Sequence, residues 1–217
     1  ALHHVALQFP DAESFSPDAA NAGQRALRAA TLAMRIAADA PGAMQDAELL
    51  LAQADNLTLR DAALRAVMTE PGDTRERMFA AFEAQYRTEP LVLDKWFQIQ
   101  AAIPERETLA RVKALMRHEA FTLETPNRVY SLIMGFATGN MTEFHRPDGA
   151  GYRFIGDLVL EIDRMNPQVA SRLATAFRTW RMMDSTRRAH AKDVLDSIHA
   201  TPNLSRDVSD IIGRTRG

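Results

Sequence analysis

Three prolines, Pro90, Pro126 and Pro167, each stand where a helix-like apolar pattern begins, and they lie 36 and 41 residues apart. Proline fits the first turn of a helix, where its missing donor has no partner to lose, and breaks the pattern elsewhere. The three positions therefore mark helix starts, each opening the first helix of a pair. Their spacing is close to the period of about 40 to 47 residues expected of HEAT and armadillo arrays. Connectors are short and no segment alternates as a strand would. The expectation is an all-α fold of stacked antiparallel helix pairs forming a HEAT/armadillo-like superhelix, with an irregular helical bundle as the alternative.

The clearest corner is at Asn166-Pro167. An asparagine side chain can take an orphan amide of the first turn, and proline at N1 lacks the donor that turn cannot use. Upstream, Tyr152, Ile155, Leu158, Val159 and Ile162 recur at helical spacing; downstream, Val169, Leu173, Ala176, Phe177 and Trp180 do the same. Arg172 falls beside the second stripe, in line with Gln168, Thr175 and Thr179, on a polar ribbon at the border of the core.

Elsewhere the pattern predicts a weakly alternating lead over residues 1–15, through Leu2, Val5, Leu7 and Phe9. A long helix then opens at Ser16-Pro17 and runs to about Asp39. Shorter helices follow to about Gln53 and over 58–68, the latter opened by Thr58 with Asp61 at capping-box spacing. Further helices are predicted over 74–87, 90–101, 105–117 and 126–137, then over 184–199 and 205–214. The 90–101 and 126–137 segments are apolar on most sides and belong in the interior. No domain boundary shows, so 1–217 reads as a single helical domain. The chain opens at Ala1 rather than at methionine and is read as a fragment of a larger protein.

With 46% apolar and 25% charged residues, the chain is of ordinary globular composition. A net charge of −2 argues against nucleic acid as a partner. No apolar run approaches the roughly 18 to 20 residues that span a bilayer, so no membrane partner is expected. The absence of cysteine suits a reducing compartment, and the expected location is cytoplasmic.

Residues that carry chemistry are sparse. A zinc peptidase helix needs His-Glu-x-x-His, so that both imidazoles share one face with the glutamate beside the metal-bound water. His118-Glu119 begins that pattern, but Thr122 stands where the second histidine belongs. His145, His190 and His199 are scattered, and each reads as a surface or core-edge residue, with His145 tying down the loop before Arg146-Pro147-Asp148-Gly149. Gly149-Ala150-Gly151 has no strand before it and cradles no phosphate. The arginines 164, 172, 178, 181, 187 and 188 give the last third a basic cast, read as a solvated face laced with Glu161, Asp163 and Asp184, Arg172 excepted. The expectation is that catalytic and metal residues are both lacking in this segment.

The wording of several segments is distinctive. Asp148-Gly149-x-Gly151-Tyr152 followed by Asn166-Pro-Gln-Val-Ala-Ser-Arg-Leu resembles the C-terminal helical domain of bacterial aminopeptidase N, an alanyl aminopeptidase of the gluzincin class of zinc peptidases. Matching pieces stand in the same order from Asn56-Leu57-Thr58 through Leu91-Val92-Leu93-Asp94-Lys95-Trp96-Phe97, Asn127-Arg128 with Ser131-Leu132, and Phe144-His145, to Asn203-Leu204-Ser205.

The resemblance implies a non-catalytic helical lid that encloses the active-site cavity of a zinc-dependent aminopeptidase and limits substrate access. Zinc would then lie in a catalytic domain of the same polypeptide, and the partners would be that domain and the peptide substrate. By the same resemblance Arg172 matches an arginine that points to the cavity, with a structural ion pair as its alternative role. Arg128 is a second cavity candidate. Tyr130 stands where some relatives carry another arginine, and brings a hydroxyl but no cation. The competing reading is a free-standing HEAT-like protein- or peptide-binding module.

Overall fold

The computed structural model describes residues 15–217, and almost all of the expected lead over residues 1–15 lies outside them. Phe15, the first described residue, donates its backbone N–H to Asp55 at 3.0 Å. All regular structure among the described residues is helical. The chain divides into two compact units, one ending at Ile99 and the other running from Gln100 to Gly217.

In the first unit, α1 (Ala19–Ala37), α2 (Ala43–Gln53) and α3 (Leu57–Val67) pack on one another, and α4 (Asp73–Tyr86) packs on α2 and α3. Two helix starts differ from the sequence pattern. The N-cap of α1 is Asp18 rather than Ser16, because its carboxylate accepts from Asn21 N–H while Ser16 hydrogen-bonds to Asp18. The N-cap of α3 is Asn56 rather than Thr58, since Asn56 Oδ1 accepts from Leu59 N–H at 3.0 Å. In both cases an acidic or amide side chain two residues away takes the orphan amide; for Thr58 the ranking of caps favours Asn56, and at Ser16 the hydroxyl is bonded to Asp18. α5 (Pro90–Ala101) buries Leu93, Trp96, Phe97 and Ile99, as its broad apolar pattern predicts, and Trp96 Nε1 donates to the Phe79 carbonyl at 2.9 Å.

The second unit contains α6 (Thr108–Leu115), then a composite rod. Its pieces are α7 (Pro126–Arg128), a π-helix over Val129–Met134, and α8 (Gly135–Gly139), with the one-turn α9 (Met141–Phe144) after it. The sequence pattern predicts one regular helix over 126–137, and the π segment is the difference. Next come α10 (Ala150–Asp163), α11 (Pro167–Ala174), a 3-10 helix over Thr175–Met182, α12 (Ser185–His199) and α13 (Arg206–Arg216). α10 packs on α11 and α12, while α13 closes against α11 and α12. The corner at Asn166-Pro167 forms as its chemistry dictates, Asn166 Oδ1 accepting from Val169 N–H at 3.2 Å with Pro167 at the first position. Phe144, Tyr152 and Phe177 meet edge-on or tilted in the middle of this unit, all fully buried.

Candidate functional site

α11 is short, and its apolar line of Val169, Ala170, Leu173 and Ala174 is buried, which leaves Arg172 exposed in the last turn. A cation there is favoured by the partial negative charge of the helix C-terminus. The facing element is the π-helix, and from it Tyr130 presents its ring. The guanidinium carbon of Arg172 lies 4.9 Å from the centre of that ring, within cation–π range. No carboxylate among the described residues lies within ion-pair distance of Arg172, so the ion-pair role has no partner there.

Arg128, two residues before Tyr130, behaves differently. Only 6% of it is exposed, and its Nε donates to the Ala120 carbonyl at 2.7 Å. The structure thus brings Arg172 and Tyr130 into contact and turns Arg128 into the fold. The sequence assigns Tyr130 a hydroxyl donor at best, whereas here its π-face receives the cation. A π-helix in mid-rod is a local departure that recurs at functional sites, and its residue pattern gives no warning of it.

A second polar cluster sits below α10. His145 is 6% exposed, and its Nδ1 lies 2.7 Å from the hydroxyl of the fully buried Tyr152. Burial, then the nearby Arg187 charge, hold His145 below the usual imidazole range, while burial pushes the Tyr152 phenol up to about 12. Arg187 donates through Nε to the His145 carbonyl at 2.5 Å and pairs with Asp184. The expected loop-tying role of His145 is met from the interior. Glu143, also buried, is pushed up by desolvation against the opposing pull of Arg146, whose Nη1 donates to it at 2.9 Å. These groups hydrogen-bond or pair with one another within the fold. Among the described residues, no three His, Asp or Glu side chains come together as a metal site would need.

Comparison with known proteins finds relatives of the chain as a whole. Residues 1–217 match the family described as a domain of unknown function (DUF3458_C) with ARM repeats. Aminopeptidase N of Caulobacter vibrioides is 40% identical over 205 residues, covering 94% of this chain and 24% of that protein. Aminopeptidase N of Escherichia coli is 34% identical over 160 residues, covering 74% of this chain and 18% of that protein. Among solved structures, Legionella pneumophila aminopeptidase A in complex with aspartic acid superposes with a TM-score of 0.89 at 25% identity, covering 99% of this chain and 26% of that one. The chain spans about a quarter or less of the length of these relatives.

Proposed function

The chain belongs to the DUF3458_C family of ARM-repeat domains, and we propose that it is the C-terminal helical lid of a zinc-dependent aminopeptidase that removes N-terminal residues from peptides. The observation that carries this reading is that nearly the whole chain aligns with one stretch of an aminopeptidase N. The lid excludes folded proteins and bulk water from the cavity, and a drier cavity strengthens each charge contact inside it. In this reading zinc and its chemistry belong to a catalytic domain of the same polypeptide, as in the aminopeptidases the chain resembles, and the protein works in the cytoplasm. No helix among the described residues is long and apolar enough to cross a membrane.

Within this reading Arg172 faces the cavity. Held over the Tyr130 ring, its guanidinium offers N–H donors for a peptide carbonyl or carboxylate. Arg128 acts from behind, fixing the start of the rod that carries Tyr130 through its bond to the Ala120 carbonyl. An arginine and an aromatic ring are also common anchors of peptide-binding surfaces. The same pair therefore favours, as a second reading, a free-standing peptide-binding module.

The experiment that separates the two is release of chromophore from an alanyl anilide by this chain and by the full-length gene product, with zinc measured on both. Activity and about one zinc per molecule in the full-length product alone is the expected result. Cleavage by the isolated chain, or none by the full-length product, overturns the lid.

A further inference from the structure

In the 3-10 helix over Thr175–Met182, positions three apart eclipse one another. One such line, Ala174, Phe177 and Trp180, is buried. The adjacent line carries Thr175, Arg178 and Arg181, with Arg172 one turn ahead of it, and all three arginines are exposed. Neighbouring positions on the line are about 6 Å apart along the axis.

Of the three carboxylates that the sequence offers as neutralising neighbours, Glu161 is exposed and pairs with none of these arginines, and the other two are engaged elsewhere. Asp163 accepts from Ser205, and Asp184 pairs with Arg187. In the same unit Arg146 and Arg216 also pair with carboxylates. Among the described residues, Arg172, Arg178 and Arg181 have no carboxylate partner, and Arg178 has no hydrogen-bond, ion-pair or ring partner at all. Arg172 rests on Tyr130, while Arg181 lies 5.1 Å from the centre of the Trp180 ring and donates to the Arg216 carbonyl. A guanidinium held over a ring keeps N–H donors that can meet an anion.

We propose that this arginine line is a docking strip for an extended acidic peptide. Side chains on one face of an extended chain repeat about every 7 Å, close to the spacing of Arg178 and Arg181. Glutamate or aspartate at alternate positions meets both cations at once, and an acidic side chain further along reaches Arg172. Each contact is exposed and individually weak, so affinity comes from the register of several. The strip stands on the surface charge of this chain alone and does not depend on the peptidase reading.

The test is fluorescence anisotropy of a labelled peptide alternating Glu and Ala, titrated with this chain at low and at physiological salt. The Gln-for-Glu peptide and vesicles of phosphatidylglycerol in phosphatidylcholine run as separate arms. The Glu peptide binds, more weakly as salt rises, and the Gln peptide does not. Arg178→Glu weakens binding about tenfold, while Arg178→Lys stays within about twofold. Arg178 is exposed and makes no hydrogen bond, ion pair or ring contact among the described residues, so its variants keep the helical circular dichroism of the parent. Failure of the Glu peptide to bind, equal binding of the Gln peptide, no effect of Arg178→Glu, or binding of vesicles without the peptide each overturns the proposal. Loss of the peptidase reading leaves all of these outcomes readable.

Discussion

Arg172 and Tyr130, from two different elements of the second unit, meet with the guanidinium carbon 4.9 Å from the ring centre. An exposed cation–π contact of this kind contributes about 0.5 to 1 kcal/mol. Its value here lies in aiming the donors of Arg172 as much as in that energy.

In the full-length product, Tyr130→Ala is expected to raise KM for a short peptide about two- to fivefold with kcat little changed, because only uniform binding is lost. Tyr130→Phe keeps the ring face and should stay near the parent. An equal loss in Tyr130→Phe would assign the effect to the hydroxyl instead of the stack.

The buried His145 makes stability depend on pH with a defined sign. Its imidazole is held below the ordinary range in the folded chain by burial and by Arg187, so between its folded value and about 6.5 the unfolded chain binds the extra proton. Stability is present above about pH 6.5 and falls as pH drops toward the folded value. Urea unfolding of the parent and of His145→Gln at pH 7.5 and pH 5 should show part of the parent's loss missing in the variant. Tyr152 adds the opposite edge, with stability lost as pH rises from about 10 toward about 12. Identical pH slopes in parent and variant would remove His145 from this account.

Two glycines should respond to alanine with opposite signs. A Cβ on Gly151 would run into the backbone carbonyls of Glu143 and Phe144, which cannot yield as a flexible side chain can. Gly151→Ala should cost about 1 to 3 kcal/mol. Gly213 sits inside α13 with nothing near its Cβ position, and Gly213→Ala should stabilise by about 0.5 to 1 kcal/mol. Thermal melts of both variants decide it.

Asp163, at the end of α10, accepts from the backbone N–H of Ser205 at 2.9 Å and from its hydroxyl, while Ser205 Oγ caps α13 through Val208 N–H. Ser205→Ala should cost about 1 kcal/mol and Asp163→Ala about 1 to 3 kcal/mol. Because the two share one network, the double variant should cost less than the two losses added together. Strict additivity in denaturant melts would show that cap and clamp act separately.

Much of the fold is legible because its signals are local. Asn166 and Pro167 announce their helix unaided, and the stripes Tyr152 to Ile162 and Val169 to Trp180 name the buried faces of α10, α11 and the 3-10 segment. The family resemblance read from Asn166 to Leu173 is matched by the aminopeptidase N relatives. Hydroxyls at Ser16 and Thr58 mislead because another capping group, Asp18 or Asn56, lies two residues away and takes the orphan amide.

What escapes the sequence depends on partners brought from afar. A histidine after a one-turn helix reads as a loop residue, and only the arrival of Tyr152 and Arg187 makes His145 interior. Arg128 is named from the resemblance as a cavity candidate, and its sequence position does not show that its Nε bonds to the Ala120 carbonyl or that it is buried. Nor does Val-Tyr-Ser-Leu-Ile-Met distinguish i+4 from i+5 hydrogen bonding, since both bury an apolar helix on most sides.

The π stretch over Val129–Met134 has a bearing on how this rod tolerates changes of length. Widening a turn stores an extra residue between Arg128, anchored on one side, and Phe136, anchored on the other. Removing a residue from an α-helix swings everything beyond it by about 100°. Here a one-residue deletion between the two anchors can be taken up by narrowing the wide turn, so the stretch acts as slack in the register of the rod. Homologues one residue shorter at this point would keep both anchors in place while losing the perch from which Tyr130 meets Arg172.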